Sequence, residues 1–214
     1  MPTASASPGD AIDRALDAVW RMESPKIIAA LARVIGDVGL AEDAAQDALE
    51  AALRQWPETG VPDRPAAWLM STAKHKALDT IRRRSALQRK ATEMAYDATT
   101  IEGNLDATID EPAIDDDLLR LIFICCHPAL TVDARVSLTL RLLGGLRTEE
   151  IARAFLVQPS TIGQRVSRAK RTLQEARVAF EVPQGADFDA RLGSALQVIY
   201  LVFNEGYTAT SGED

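Results

Sequence analysis

The sequence predicts an all-α protein of two small helical domains, and three observations carry that reading. Ala and Leu dominate its 214 residues, while alternating β-branched runs are scarce. Apolar residues recur three and four apart through most of the chain, the spacing of amphipathic helices. Hydrophobic residues make up 47% of the chain but aromatics only 5%, a balance that suits small helical units better than sheets.

The elements follow in order. Residues 1–10, "MPTASASPGD", are small and polar and read as a disordered tail. Helical pattern begins near Ala11, with Ile12, Leu16 and Val19 on one face. Ser24-Pro25 reads as a second helix start, Ser as cap and Pro in the first turn. Ile27, Ile28, Leu31, Val34 and Ile35 follow, until Gly36 and Gly39 break the pattern. "AEDAAQDALEAALRQW" is a third helix, with Ala45, Leu49, Ala52 and Trp56 inward and its acids outward. The loop "PETGVPDRPAA" leads to a fourth helix opened by Pro65, with Leu69, Ala73, Ala77 and Ile81 on its stripe. These four helices, residues 11–87, form the first domain. Residues 88–114 lack periodicity and read as an acidic linker that self-repulsion extends.

The second domain spans residues 115–180. Asp115, Asp116 and Asp117 sit where acids favour a helix N-terminus, and "LLRLIFICC" is the buried body. Thr131 caps the next helix and Gly144-Gly145 ends it. A short helix from Thr148 to Phe155, a turn plugged by Val157, and a helix started by Pro159 follow. Residues 181–214 hold a last helix with Phe188, Leu192, Ala195, Ile199 and Phe203 on one face and no partner after it.

Charge is sorted along the chain rather than spread by its net −7. Lys74, Lys76, Arg82, Arg83, Arg84, Arg89 and Lys90 make one basic island, with Asp79 as the single acid. The stretch from Asp97 to Asp117 is purely acidic, and "QPSTIGQRVSRAKRTL" is basic again. Two islands point to two polyanion-binding sites, with solvated helix faces as the alternative. No apolar run approaches the roughly 18 residues of a membrane span. The N-terminus has neither the basic nor the apolar region of a signal peptide. With only Cys125 and Cys126, the expected compartment is the cytoplasm.

The chemistry lies in "TEEIARAFLVQPSTIGQRVSRAKRTL", which reads as helix, turn, helix. Ile162, Val166, Ala169 and Leu173 share one stripe of the second helix. Gln164, Arg168 and Arg171 project from the other side, with Ser160, Thr161 and Arg165 beside them. Apolar anchors behind hydrogen-bonding heads are what a helix needs to enter the major groove. An Arg on guanine or a Gln on adenine discriminates by about 1–3 kcal/mol. An ordinary amphipathic surface helix is the alternative.

"GLRTEEIA" followed by "TIGQRVSRAK" resembles the −35 reading motif of extracytoplasmic-function sigma factors, members of the sigma-70 family. "LAEDAAQDALEAAL" is similar to that family's polymerase-docking helix, and "WLMSTAKHKALDTIRRR" to its −10 reading helix. The resemblance covers about residues 11–180. "FICCHPAL", "RLLGGL" and "LVFNEGYTATSG" resemble the sub-group with a C-terminal tetratricopeptide-like extension, inside which this chain would end. His75, Leu156 and Gly163 depart from the family pattern.

The resemblance implies a sigma factor, with RNA polymerase core (clamp and flap) and promoter DNA as partners. It implies neither catalysis nor a cofactor, no metal and no membrane contact, and leaves any anti-sigma partner unspecified. Glu42, Asp43, Gln46 and Asp47 would then meet the clamp, a solvated acidic face being the alternative. Lys74, Lys76, Arg82, Arg83 and Arg84 would hold the −10 region. Ser160, Thr161, Gln164, Arg165, Arg168 and Arg171 would meet the −35 region. The loop from Pro57 to Ala66 would receive a flipped base. Trp56 and Trp68 are expected in the core, as are the cysteines. Cys125, Cys126 and His127 point about 100° apart on a helix and cannot comfortably chelate one ion. A helix-turn-helix regulator working without polymerase core is the competing function. An enzyme finds no support, since the sequence offers no phosphate loop and no nucleophile–base pair.

Overall fold

The computed structural model describes residues 8–89 and 114–210, so most of the expected acidic linker lies outside the described residues. Among these, eight helices and no strands are found, in agreement with the all-α expectation. They are α1 (Pro8–Ile35), α2 (Val38–Thr59), α3 (Pro65–Arg89), α4 (Ile114–Cys125), α5 (Val132–Leu142), α6 (Thr148–Ala154), α7 (Pro159–Glu175) and α8 (Ala186–Thr210).

The first two expected helices are one. α1 runs through Ser24 and Pro25 without a break, so Ser24 is not a cap. Pro25 cannot donate to the Arg21 carbonyl, which costs a helix interior about 3 kcal/mol. Burial decides the outcome. Leu16 and Trp20 before the proline and Ile27, Ile28 and Leu31 after it enter one core. At about 1.5–3 kcal/mol for each large side chain, they outweigh the missing bond. Gly36, at φ +73°, then ends the helix as expected. Gly39 does not break a helix but lies in the first turn of α2, where Asp37 caps the end by accepting from the Leu40 N–H at 3.0 Å.

α2 outlasts its sequence boundary, carrying Pro57 in its last turn before Gly60 (φ +82°) closes it. The loop between α2 and α3 is therefore only 60–64. Trp56 is fully buried, and half-buried Trp68 packs edge-on against it at 5.5 Å. Leu69, Ala73, Ala77 and Ile81 are buried on α3, as their spacing predicts. α1, α2 and α3 thus make a three-helix unit.

α4 to α7 make the second unit. Thr131 caps α5 by accepting from the Ala134 N–H at 3.3 Å. Cys125 and Cys126 are free and buried, and burial raises both thiol pKa values, so they behave as small core residues. His127 accepts the Ala129 N–H through Nδ1 at 3.2 Å. Burial, with Arg191 adding to it, lowers its pKa. No group of His, Cys, Asp and Glu among the described residues is placed to hold a metal ion. None of the described helices is long and apolar enough to cross a membrane.

The two units share a contiguous core instead of standing apart. α1 lies against α4, and Gly145 lies close to the backbone of α1. A Cβ there would come within 3.1 Å of Arg21 Cα and Ser24 Oγ. Asp117, 1% exposed, turns inward between Arg33 Nε at 2.8 Å and Arg120 Nη1 at 2.7 Å. It stands in the first turn of α4, as expected, and also forms an ion pair joining α4 to α1.

α8 docks through the first half of the expected face, shared with Arg191 and Val198. Arg191, Ala195 and Val198 are buried, and Phe188 meets Phe123 at 5.6 Å. Ser194 Oγ donates to the Cys126 carbonyl at 2.7 Å and accepts from Arg135 Nη1 at 2.6 Å. Ile199 and Phe203, on the face that the sequence leaves without a partner helix, are exposed together with Leu196 and Tyr200.

Candidate nucleic-acid interface

The helix-turn-helix is built by α6 and α7. Its turn places Leu156 at φ +52°, 92% exposed, with the Val157 N–H bonded to the Ala152 carbonyl at 3.0 Å. An L-residue in this left-handed region costs about 1–2 kcal/mol. Leu156→Gly removes that strain but loosens the unfolded chain by about 0.4–1 kcal/mol. The net expectation is a gain of about 0.5–1 kcal/mol, read from thermal and denaturant melts of the two proteins. A loss on substitution would mean that the leucine makes a stabilising contact.

Pro159 starts α7 at a position where its missing N–H does no harm. Ile162, Val166, Ala169 and Leu173 are buried, leaving Ser160, Thr161, Gln164 and Arg168 exposed on the opposite side. A groove of about 420 Å³ runs beside them, edged by Thr131 and Asp133 at the start of α5. Arg171 is exposed but pairs along its own helix with Glu175 at 2.7 Å.

Arg165 is placed differently from the other candidates. Its guanidinium lies 3.5 Å from Asp133 Oδ2, 3.4 Å from Ser137 Oγ and 5.4 Å from the Phe155 ring centroid. It ties α7 to α5 and α6 along the wall of the same groove.

On α3, Arg82, Arg83 and Arg84 are exposed, while Lys74 and Lys76 are half-buried. Arg84 Nη1 lies 3.9 Å from Asp37 Oδ2.

The acidic face of α2 departs most from the sequence reading. Asp43 and Asp47 are exposed and Gln46 half-buried, but Glu42 is buried and not outward as expected. Glu42 Oε1 receives Arg141 Nε at 3.1 Å, and Oε2 receives Lys170 Nζ at 2.6 Å. Lys170 also donates to Asp43 at 2.7 Å. Burial alone would lower the Lys170 pKa, but Glu42 and Asp43 outweigh it and raise the value. A raised lysine pKa stabilises the fold below the usual 10.5, and the contribution is lost only as pH climbs through the higher folded value. The pair is therefore intact throughout the neutral range. Sequence reading assigned Lys170 to the basic island and missed Arg141, because their acceptor lies about a hundred residues away.

Residues 19–87 match the model of Sigma-70 region 2, and residues 120–173 match that of Sigma-70, region 4. An uncharacterized protein of Rhizobium meliloti is 40% identical over 193 residues, 89% of this chain and 45% of that protein. A probable ECF RNA polymerase sigma factor of Mycobacterium tuberculosis, SigI, is 29% identical over 169 residues, 78% of this chain and 57% of that protein. The ECF RNA polymerase sigma factor SigK of Mycobacterium ulcerans is 28% identical over 153 residues, 70% of this chain and 78% of that protein. The chain spans about half the length of the first two relatives. No solved structure matches it. With one region falling on α1–α3 and the other on α4–α7, in that order, the chain belongs to the sigma-70 family.

Proposed function

We propose that this chain works as an extracytoplasmic-function sigma factor that binds RNA polymerase core and directs initiation at promoters with −10 and −35 elements. Residues 11–87 serve core binding and the −10 element, and residues 115–180 serve the −35 element. The observation that carries this reading is the outer face of α7. Ser160, Thr161, Gln164 and Arg168 stand exposed over a buried stripe inside a region 4 match. On α3, the exposed Arg82, Arg83 and Arg84 suit phosphate contact. Asp43, Gln46 and Asp47 offer the clamp an acidic edge on α2. The chain acts by lending specificity to the polymerase rather than by catalysis of its own, and α8 begins a further C-terminal segment.

Run-off transcription with purified core tests the proposal. The chain should bind core as a single copy and give promoter-dependent product. Neither core binding nor product would overturn it, and DNA binding as a dimer without core would favour a stand-alone regulator. Within it, Arg168→Ala should weaken −35 binding by about 5–150-fold, the equivalent of about 1–3 kcal/mol, and leave core binding unchanged. Arg165→Ala should act first on the melting temperature, because Arg165 holds α7 to its neighbours. An Arg168→Ala protein that transcribes like its parent would place the reading face elsewhere.

A further inference from the structure

We propose that Leu156, in the turn between α6 and α7, is a specificity residue that packs against the 5-methyl group of a thymine at the edge of the −35 element, with Arg153 on the adjoining phosphate; this rests on the sigma-factor function above. Leu156 follows α6 in the left-handed region, at φ +52°, where the Val157 N–H closes onto the Ala152 carbonyl at 3.0 Å. Glycine is favoured at such a position because it has no Cβ to strain. Among the described residues, Arg177 is the one other non-glycine residue with a positive φ, and its charged side chain suits water. A leucine does not. It is 92% exposed, so the strained backbone receives almost nothing from packing within the chain. A lone exposed leucine is ordinary on a protein surface. One held out on strained backbone is not, and such strain collects at binding sites.

What the leucine stands beside identifies its occupant. A helix-turn-helix brings the N-terminal residues of its second helix to base edges and lays the first helix across the backbone. Leu156 comes three residues before Pro159, the first residue of α7. It lines an open concavity of about 780 Å³ together with Arg153 of α6 and with Gln158 and Thr161 at the start of α7. Thr161 belongs to the face expected at the −35 element, so the leucine extends that face beyond α7. Arg153 is exposed and no acid lines the concavity, a setting that suits a phosphate backbone. The apolar group that base pairs present in the major groove is the thymine methyl, which a leucine at the groove edge meets without a hydrogen bond.

The test uses the chain bound to polymerase core, on a duplex promoter that gives product in the run-off assay. Each thymine of the −35 element, on either strand, is replaced in turn by uracil, which pairs alike but lacks the methyl. One position at the edge of the element should weaken binding of the parent about fourfold, the equivalent of one buried methyl group. Leu156→Ala and Leu156→Gly should bind thymine and uracil alike at that position and keep the parent's response at the others. Arg153→Ala should weaken all these duplexes equally and lower the slope of log affinity against log salt by about one. A slope that Arg153→Ala leaves unchanged strikes out the phosphate contact. A uracil cost that persists in both leucine variants, or no cost anywhere in the parent, overturns the methyl contact and leaves the sigma function standing. Loss of core affinity in both leucine variants with the uracil cost intact gives Leu156 to a protein partner and overturns it as well. A parent that binds neither core nor promoter overturns the contact and the function together.

Discussion

Asp117→Ala is expected to lower stability by about 3 kcal/mol, about 6–12 °C in melting temperature for a chain of this size. The carboxylate is 1% exposed and carries two charge-assisted bonds, from Arg33 Nε and Arg120 Nη1. Removing one partner of a buried ion pair commonly costs 3–5 kcal/mol, because the other charge is left uncompensated. Here both arginines are about a third exposed and can turn toward water, which holds the loss to the lower end. Asp117→Asn keeps the volume and one acceptor and should cost less, about 2 kcal/mol. Denaturant melts followed by circular dichroism separate the three proteins. An alanine variant within about 0.5 kcal/mol of the parent would mean that the pair is not what joins α4 to α1.

Gly145→Ala is expected to cost about 2 kcal/mol, although alanine stiffens the unfolded chain. Two effects oppose that gain. At φ +62° an L-residue is strained by about 1–2 kcal/mol. Its Cβ would also stand 3.1 Å from Arg21 Cα, a backbone atom that cannot swing aside. The overlap falls between the units, so the loss should come with a looser α1–α4 contact. Gly144 supplies the comparison inside the second unit alone. A Cβ there meets the Leu140 carbonyl oxygen at 2.6 Å, so Gly144→Ala should destabilise without parting the units. Scattering and melting measurements on both variants check this. Equal radii for Gly145→Ala and Gly144→Ala would show that the close approach does not control the packing of the two units.

Much of the site was legible because it is local. The helix-turn-helix follows from Ile162, Val166, Ala169 and Leu173 at helical spacing, with Pro159 at the start, and all four are buried. The exposed positions of Thr161, Gln164 and Arg168 follow from the same periodicity. Arg165 was not legible in this way. Its place depends on Phe155, Asp133 and Ser137, which belong to two other helices. Glu42 was misplaced for a related reason. An acid on an otherwise polar flank reads as solvated, and only two cations from the second unit make its burial tolerable.

Periodicity, capping residues and charge order act within a few turns, so the sequence by itself determined most of the helices, the buried stripe of α7 and the order of the two helical units. Whether Pro25 would break α1, how much of the α8 face would bury, and where Glu42, Asp117 and Lys170 would point were decided by the tertiary structure alone. Each of these turns on a competition between a local preference of a few kcal/mol and contacts made by residues distant in the chain. The long-range term is larger, and only the packed structure contains it.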